Sequence, residues 1–366
     1  MVDLLPSNEP IFMNIKSYKG NYHIHFTDCF LSSLKSEAKT GDIFLIDENV
    51  WHLYRKQFSY FEKSNSIICL PSGEKTKSFD AARKLIFDLM ELGFKRNHRL
   101  IAVGGGIVQD AVAFVASILF RGVEWIFVPT TLLAQGDSCI GSKTSVNFDN
   151  YKNLLGGFYP PSNIYIDAAF LDTLSDHEIR SGLGEMLHFF MIGGRSDFEI
   201  FRDNFEHCFD DKNAIKKLTE RSLEIKKEMI ERDEFDEGPR KVFNYGHTFG
   251  HALEGITNYQ IPHGIAVSYG MDMANKVSVY LGLLEENIAL ESRKLLSQVW
   301  GNTVFPKIDT KEYLNLLSKD KKNVGSKLNL ILTSGWGNMF MQEVIPDEGF
   351  SELVNQILNF YYSNNN

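Results

Sequence analysis

Cysteine is scarce: four in 366 residues, at positions 29, 69, 139 and 208, with no CxxC pair among them. That excludes a disulfide framework and a thiolate zinc cluster, and leaves Cys29, Cys69, Cys139 and Cys208 as reduced core or pocket residues. Positive charge is also in deficit. The formal charge of −9 argues against a general attraction to nucleic acid or anionic membrane, and no such partner is expected. No uninterrupted apolar stretch approaches the ~18 residues of a membrane span, and the N-terminal MVDLLPSNEPIF has no basic segment followed by an apolar run. Internal repeats and low-complexity segments are absent, apart from the asparagines at 364–366, which are expected to fray. A cytoplasmic enzyme is the expectation.

The apolar content, 43%, and the charged content, 23%, are those of a globular protein, and 366 residues exceed one ordinary core. The first half alternates apolar runs with helical spacing. Asp42–Ile46, Ser66–Leu70, Leu100–Val103 and Trp125–Val128 read as strands, while Phe79–Leu92 and Ile107–Leu119 read as helices. This rhythm predicts a parallel sheet with helices on its faces. Beyond about Leu171, helical patterns dominate: Asp176–Met191, Ala214–Glu231, His247–Ile256, Gly264–Leu281, Glu286–Val299 and Thr310–Ser318. The expected organisation is an α/β nucleotide-binding domain over 1–174 and a mostly α-helical metal and substrate domain over 175–366.

Two groups of residues carry chemistry. Gly104-Gly105-Gly106 lies between a strand and a helix, where glycines let the backbone approach an anion and the helix start supplies free N–H groups. The spacing is not GxGxxG, so the usual dinucleotide fingerprint is excluded, and a plain tight turn is an equal reading of the motif alone. Other polar loops follow other strands: Asp47, then Ser72-Gly73-Glu74 with Lys77, then Thr130-Thr131. Carboxyl ends of strands are where open α/β sheets bind ligands. The second group is Glu185 in GEMLH, His247 and His251 in NYGHTFGH, and His263 in IPHG. Glutamate and histidine are natural zinc ligands, and His247 and His251 share a helix face at i,i+4. Glu185 lies in an apolar helix, where an uncompensated charge is costly. A catalytic zinc needs three protein ligands, and spacing alone does not choose them from these four. Single lysines and arginines usually mark solvated surface, but Arg121 and Lys143 have apolar or small neighbours, and a cluster of such cations holds phosphate and carboxylate groups.

The segments SGEKTK, GGGIVQD, FRGVEWIFVPTTLLAQGDSCIGSKTSVN, YKNLLGGFYPP, GEMLH, NYGHTFGHALE, PHGIAV and DKKNVG together resemble the 3-dehydroquinate synthases and their sugar-phosphate cyclase relatives. The resemblance runs from about Asp42 to Trp336. It implies an NAD-binding α/β domain and a helical metal domain, with Glu185, His247 and His263 binding zinc or cobalt and His251 either standing behind the ligands or relaying protons. It implies NAD contacts from Asp47, Glu74, Lys77, Thr130, Thr131 and the loop residues Gly106, Ile107, Val108 and Asp110; Ser72, Gly73, Gly105, Lys143 and Lys152 are grouped with them. Asp137, Lys143, Lys152, Asn153, Lys226, Arg240 and Asn244 would line the pocket of a phosphorylated sugar acid. Arg121 resembles a family arginine that reaches a neighbouring subunit, implying a homodimer, and one of Lys321 and Lys322 would bind phosphate. The implied reaction is cyclisation of 3-deoxy-arabino-heptulosonate 7-phosphate with loss of phosphate, NAD being reduced and then reoxidised within each turnover.

The chain departs from the family pattern at Gln109, where the glycine loop usually has glycine, at His188 in place of an active-site lysine, at Ile265 in place of a glutamate, and at Gly136 and Cys139. Gln109 would either crowd a pyrophosphate or add a hydrogen bond. His188 replaces a permanent cation with a group that titrates near neutrality. Lys226 and Arg240 match positions facing a substrate carboxylate, and favour a keto-acid phosphate. The other readings are a cyclase for a different sugar phosphate, a metal-dependent polyol dehydrogenase, and a binding protein without turnover.

Overall fold

The computed structural model describes residues 12–63, 66–149, 151–319 and 327–364. It divides into two compact units: Met1–Leu174 with Lys227–Phe235, and Ser175–Lys226 with Asp236–Asn366.

The first unit is built on a seven-stranded sheet among the described residues. In chain order its strands are β1 (Met13–Ile15), β2 (Tyr22–Phe26), β3 (Ile43–Asp47), β4 (Ser66–Leu70), β5 (Leu100–Gly104) and β6 (Trp125–Pro129). Next come β7 (Lys143–Phe148) and β8 (Tyr151–Phe158), which form a separate antiparallel hairpin, and then β9 (Asn163–Ile166), which returns to the sheet. The sheet order is β1-β2-β9-β6-β5-β3-β4. Only β1 and β2 pair antiparallel; the other pairs are parallel. Strands β5 and β6 are buried at every position, as expected where helices cover both faces of a parallel sheet. Phe44, Ile46, Ile101, Val103, Ile126 and Val128 pack with Phe30, Phe58, Phe61 and Phe170 into one core cluster.

The first unit also takes in Lys227–Phe235, a stretch whose sequence reads as part of the helical half. Two carboxylates hold it there. Glu231 Oε1 accepts from Lys16 N at 3.0 Å. Glu234 accepts from Tyr18 N at 2.9 Å, from Ser17 Oγ at 2.6 Å and from Ser142 Oγ at 2.7 Å.

The second unit is helical around one central helix, His263–Tyr280, which is buried on nearly all sides. Helices Asp176–Gly193, His247–Ile256 and Glu286–Trp300 pack on it. Small residues set how closely. A Cβ on Gly264 would lie 1.8 Å from Ser181 O, and one on Gly270 would lie 1.9 Å from Gly246 O. At both crossings the backbones therefore touch directly. Asp272, inside this helix, is satisfied by Arg293 Nε at 2.9 Å and by the Tyr361 hydroxyl.

The helices and strands expected in the sequence are present within two residues at either end. The patterns did not reveal β1, β2, β9, the β7–β8 hairpin, the helices Phe30–Glu37, Glu48–Phe58, Arg195–Asn204 and Glu348–Asn364, or a second hairpin of Leu328–Thr333 with Met339–Val344. The short strands are three to five residues long, and β8 is mostly exposed, so neither leaves a periodic apolar signal. Asn364 ends the last helix; Asn365 and Asn366 lie outside the described residues. Cys139 and Cys208 are buried, but Cys29 and Cys69 are exposed and do not fill the core as the composition had indicated.

Candidate active site

In the second unit, three helices bring Glu185, His247 and His263 together. The close crossing at Gly264 sets the N-terminus of His263–Tyr280 against Asp176–Gly193, with Gly264 N donating to Ser181 Oγ at 3.0 Å. Glu185 then faces His263, the first residue of its helix. His247 opens its own helix after Gly246, which adopts the left-handed conformation at φ 80°. Glu185 Oε1 lies 3.4 Å from His247 Nε2, and Glu185 Oε2 lies 3.4 Å from His263 Nε2. The donor atoms of the three residues all fall within 4.8 Å of one another.

These distances are too long for good hydrogen bonds and right for three groups facing a common centre. Glu185 is buried, and its Oε2 makes no hydrogen bond. Burial alone would lift its carboxyl, but the imidazoles of His247, His263 and His188 hold it well below the ordinary carboxylate range. A buried carboxylate with an unmet oxygen, opposed by two imidazole Nε2 atoms, is the donor set of a divalent ion such as zinc. The residues present fit that group.

The neighbouring candidates take different positions. His251 is exposed, one turn beyond His247, with its ring stacked on that of His263 at 5.7 Å between centroids. His188 is buried against the rings of Phe189 and Phe243, with Nδ1 3.7 Å from Glu185 Oε1. Ile265 is buried and takes its place in the core. Lys226 and Arg240 are both more than nine-tenths buried, and the Lys226 ammonium sits 5.7 Å over the Phe189 ring. Asn244 donates through Nδ2 to Lys241 O at 3.0 Å. Glu254, which the motif spacing left without a role, is buried and brings Oε2 to 3.1 Å from His263 Nδ1. It stands seven residues after His247, two turns along the same helix face, and that spacing was the available signal.

In the first unit, the helix Gly106–Ile118 starts at Gly105 with no side-chain cap, so its first N–H groups point into the loop. A Cβ on Gly105 would press on Thr131 Cγ2 at 3.0 Å, whereas one on Gly106 would meet only Ser138 Oγ, at 3.7 Å. The open side of the loop thus lies over Gly106, with Ile107 half-buried beside it and Val108 buried against Gly104. This arrangement fits a phosphate group. Gln109 does not crowd it. Its side chain is buried, donating from Nε2 to Ser138 O at 2.5 Å and accepting from Ser138 Oγ at 2.6 Å. Through Ser138 it ties the loop to the turn Ala134–Ser138, which carries Gly136 and half-buried Asp137.

Lys77 and Asp110 form an ion pair at 2.5 Å. Burial lifts the Asp110 carboxyl above its ordinary range, and Lys77 opposes that lift. Glu74 Oε1 accepts from Asn147 Nδ2 at 2.7 Å and lies 3.9 Å from Lys152 Nζ. Asn153 adopts a positive φ of 51° and is held from both sides: its N donates to Asn147 Oδ1 at 2.9 Å and its Oδ1 accepts from Ser145 Oγ at 3.0 Å. Asp47 caps the helix Glu48–Phe58 by accepting from Asn49 N, and it also accepts from Ser72 Oγ at 3.0 Å beside Gly73. Thr130 is buried, and Thr131 accepts from Ala134 N. Lys143 opens β7 and is exposed. Arg121 is exposed too, in a turn where Phe120 and Arg121 both adopt left-handed backbone, at φ 50° and 66°. Lys321 and Lys322 lie outside the described residues.

Family models for the 3-dehydroquinate synthase N-terminal and C-terminal regions match residues 67–181 and 182–323. A 3-dehydroquinate synthase of Thermoanaerobacter sp. (strain X514) is 34% identical over 350 residues, covering 92% of this chain and 98% of that protein. Among solved structures, a 2-deoxy-scyllo-inosose synthase complexed with carbaglucose-6-phosphate, NAD+ and Co2+ superposes with a TM-score of 0.83 at 24% identity, covering 94% of this chain and 99% of the other. A 2-epi-5-epi-valiolone synthase from Streptomyces hygroscopicus subsp. jinggangensis, with NAD+ and Zn2+ bound, gives 0.80 at 23%, covering 94% and 97%. At those identities the two structures establish the shared fold.

Proposed function

The chain belongs to the 3-dehydroquinate synthase family, and from that membership we propose that it converts 3-deoxy-arabino-heptulosonate 7-phosphate into 3-dehydroquinate and phosphate. It is an enzyme of the lyase type, an NAD- and divalent-metal-dependent sugar-phosphate cyclase. The observation that carries the reading is the convergence of Glu185, His247 and His263, three residues distant in sequence, around one buried carboxylate.

Glu185, His247 and His263 hold the divalent ion, zinc or cobalt. The loop over Gly105, Gly106, Ile107 and Val108 receives the pyrophosphate of NAD, with Asp47, Ser72, Gly73, Glu74, Lys77, Asp110, Thr130, Thr131 and Lys152 around it. A bound ion would supply a Lewis acid for a substrate hydroxyl, and bound NAD would supply a reversible hydride acceptor. The chain's own residues bind and orient. Lys226 and Arg240 supply buried positive charge for the substrate carboxylate, where a charge-assisted pair is strongest. Asn244 in the second unit, and Asp137, Lys143 and Asn153 in the first, are the further polar residues proposed for the substrate. His251, exposed beside the centre, either stands behind the ligands or relays a proton. We place the enzyme in the cytoplasm as a homodimer, with Arg121 reaching the neighbouring copy.

A second reading is a related cyclase acting on a different sugar phosphate. The observation favouring it is His188, which puts a buried imidazole rather than a lysine 3.7 Å from Glu185. A polyol dehydrogenase ranks behind both. Phosphate release is the deciding assay, with the heptulosonate phosphate, a divalent ion and sub-stoichiometric NAD. Turnover far beyond the NAD supplied, with no net NADH, supports the synthase. Release only from glucose 6-phosphate or sedoheptulose 7-phosphate favours the related cyclase. Net NADH without phosphate release rejects both.

A further inference from the structure

We propose that Glu254 is a positioning residue for the metal centre. It accepts a hydrogen bond from the Nδ1–H of His263, and so fixes the ring orientation and tautomer in which Nε2 would bind the ion. The proposal rests on Glu185, His247 and His263 being the ligands.

The two imidazoles are supported unequally. His263 Nε2 faces Glu185 Oε2 at 3.4 Å, and its Nδ1 lies 3.1 Å from Glu254 Oε2. An imidazole that gives Nε2 to a metal is neutral and carries its proton on Nδ1. That proton points at Glu254. His247 is arranged the same way, but its Nδ1 lies 3.2 Å from the backbone carbonyl of Tyr245. One ligand is therefore held by a neutral acceptor and the other by a carboxylate. A carboxylate acceptor raises the basicity of the imidazole it supports, and strengthens its bond to the ion.

Charge and placement agree with this role. Glu254 is buried, and with Glu185 it gives the centre two carboxylates, which balance a divalent ion. Glu254 and His247 lie on the same face of one helix, so a single rigid element carries one ligand and the support of another. His263, like His247, has no earlier turn in its own helix. It opens that helix and is 33% exposed at the side chain, the most open of the three ligands.

His251, Glu254 and His263 also lie close enough to hold an ion themselves. In that arrangement Glu254 is itself a ligand; a single ion held there would not need His247, so Co2+ binding that survives His247→Ala also overturns the positioning role, and a second ion would use both clusters. The number of ions bound and the need for His247 separate the two roles.

The test uses the full chain, stripped with a chelator and titrated with Co2+ in competition with a chromophoric chelator. The parent protein is expected to take one ion per chain. Glu254→Ala should weaken Co2+ binding by about 10–100-fold, and Glu254→Gln, which keeps an acceptor oxygen but loses the charge, by less. Glu254→Asp should recover part of the loss, and the visible spectrum of bound Co2+ should shift in the alanine variant. Metal-free melting curves show whether each variant is folded, and Glu254→Gln, of the same shape, serves where alanine is not. Affinities of the folded variants within about twofold of the parent overturn the proposal. So do two ions in the parent with one lost on substitution. A parent chain that takes up no ion refutes the metal centre itself, and the positioning role with it.

Discussion

Replacing Gly264 with alanine puts one methyl group at the point on which the metal centre depends. The added Cβ would lie 1.8 Å from Ser181 O, 2.7 Å from Ser181 C and 3.0 Å from Glu185 N. All three are backbone atoms, so no side-chain rotation relieves the clash. Ordinary contact begins near 3.4 Å, so the helices His263–Tyr280 and Asp176–Gly193 must part by about 1.6 Å at this crossing. The hydrogen bond from Gly264 N to Ser181 Oγ breaks with them. Overpacking of this kind costs ~3 kcal/mol, the upper end of the usual range, because the obstacle is rigid. At roughly 2–4 °C per kcal/mol, the metal-free protein should melt ~6–12 °C lower. The second effect is on the ion. Ligand distances tolerate only about 0.2 Å, so a shift several times larger between Glu185 and His263 should weaken Co2+ binding ~100-fold or more. Gly255→Ala is the control. Its Cβ would meet only Leu316 Cδ1, at an ordinary 3.7 Å. Within the helix His247–Ile256 it should stabilise by ~0.5–1 kcal/mol. Differential scanning calorimetry and Co2+ titration of both variants make the comparison. If Gly264→Ala melts within ~2 °C of the parent and binds Co2+ as tightly, backbone contact at this crossing does not set the centre.

Further outcomes follow from the other clusters. Gln109→Ala removes both bonds to Ser138 and frees the glycine loop from its brace; at ~1 kcal/mol for each of the two lost hydrogen bonds, NAD binding measured calorimetrically should weaken by up to about thirtyfold, and an unchanged affinity would show that the brace is idle. Lys77→Met leaves the raised Asp110 carboxyl without its counter-charge and raises it further. A carboxyl raised in the folded state costs stability as pH climbs above the unfolded value near ~3.9, so the variant's loss in denaturant melts should be larger at neutral pH than in mild acid; a loss independent of pH refutes this. Lys226→Met keeps the apolar stem beside Phe189 but removes a buried cation. Steady-state kinetics should show KM for the carboxylated substrate rising ~10–100-fold, as for a lost hydrogen bond to a charged group, and an unaltered KM removes Lys226 from the carboxylate site.

The elements with strong periodicity were legible in the chain. Apolar runs marked β3 to β6, the first ending at Asp47-Glu48-Asn49 and the others at glycine or proline turns, and helical spacing marked the packed helices of the second unit. Polar or very short elements were not, since β1, β9 and the β7–β8 hairpin derive their order from pairing partners and not from a pattern of their own. The anchoring of Lys227–Phe235 was hidden for a similar reason: it depends on Glu231 and Glu234 meeting backbone N–H groups more than two hundred residues away.

By itself, the sequence determined which residue types were available for an ion, and where. One carboxylate and three imidazoles stood in apolar or glycine-rich segments, two of the imidazoles at helix starts. It left open which three face one another, because side-chain spacing along a helix carries no information about the helix that crosses it. The tertiary structure decided that. Gly264 and Gly270 let backbones touch, and the contact turns Glu185 toward His247 and His263. The same packing gave Gln109 a partner in Ser138 and brought Glu254 behind His263. Both relations join residues on separate elements, and only folding puts them within reach of each other.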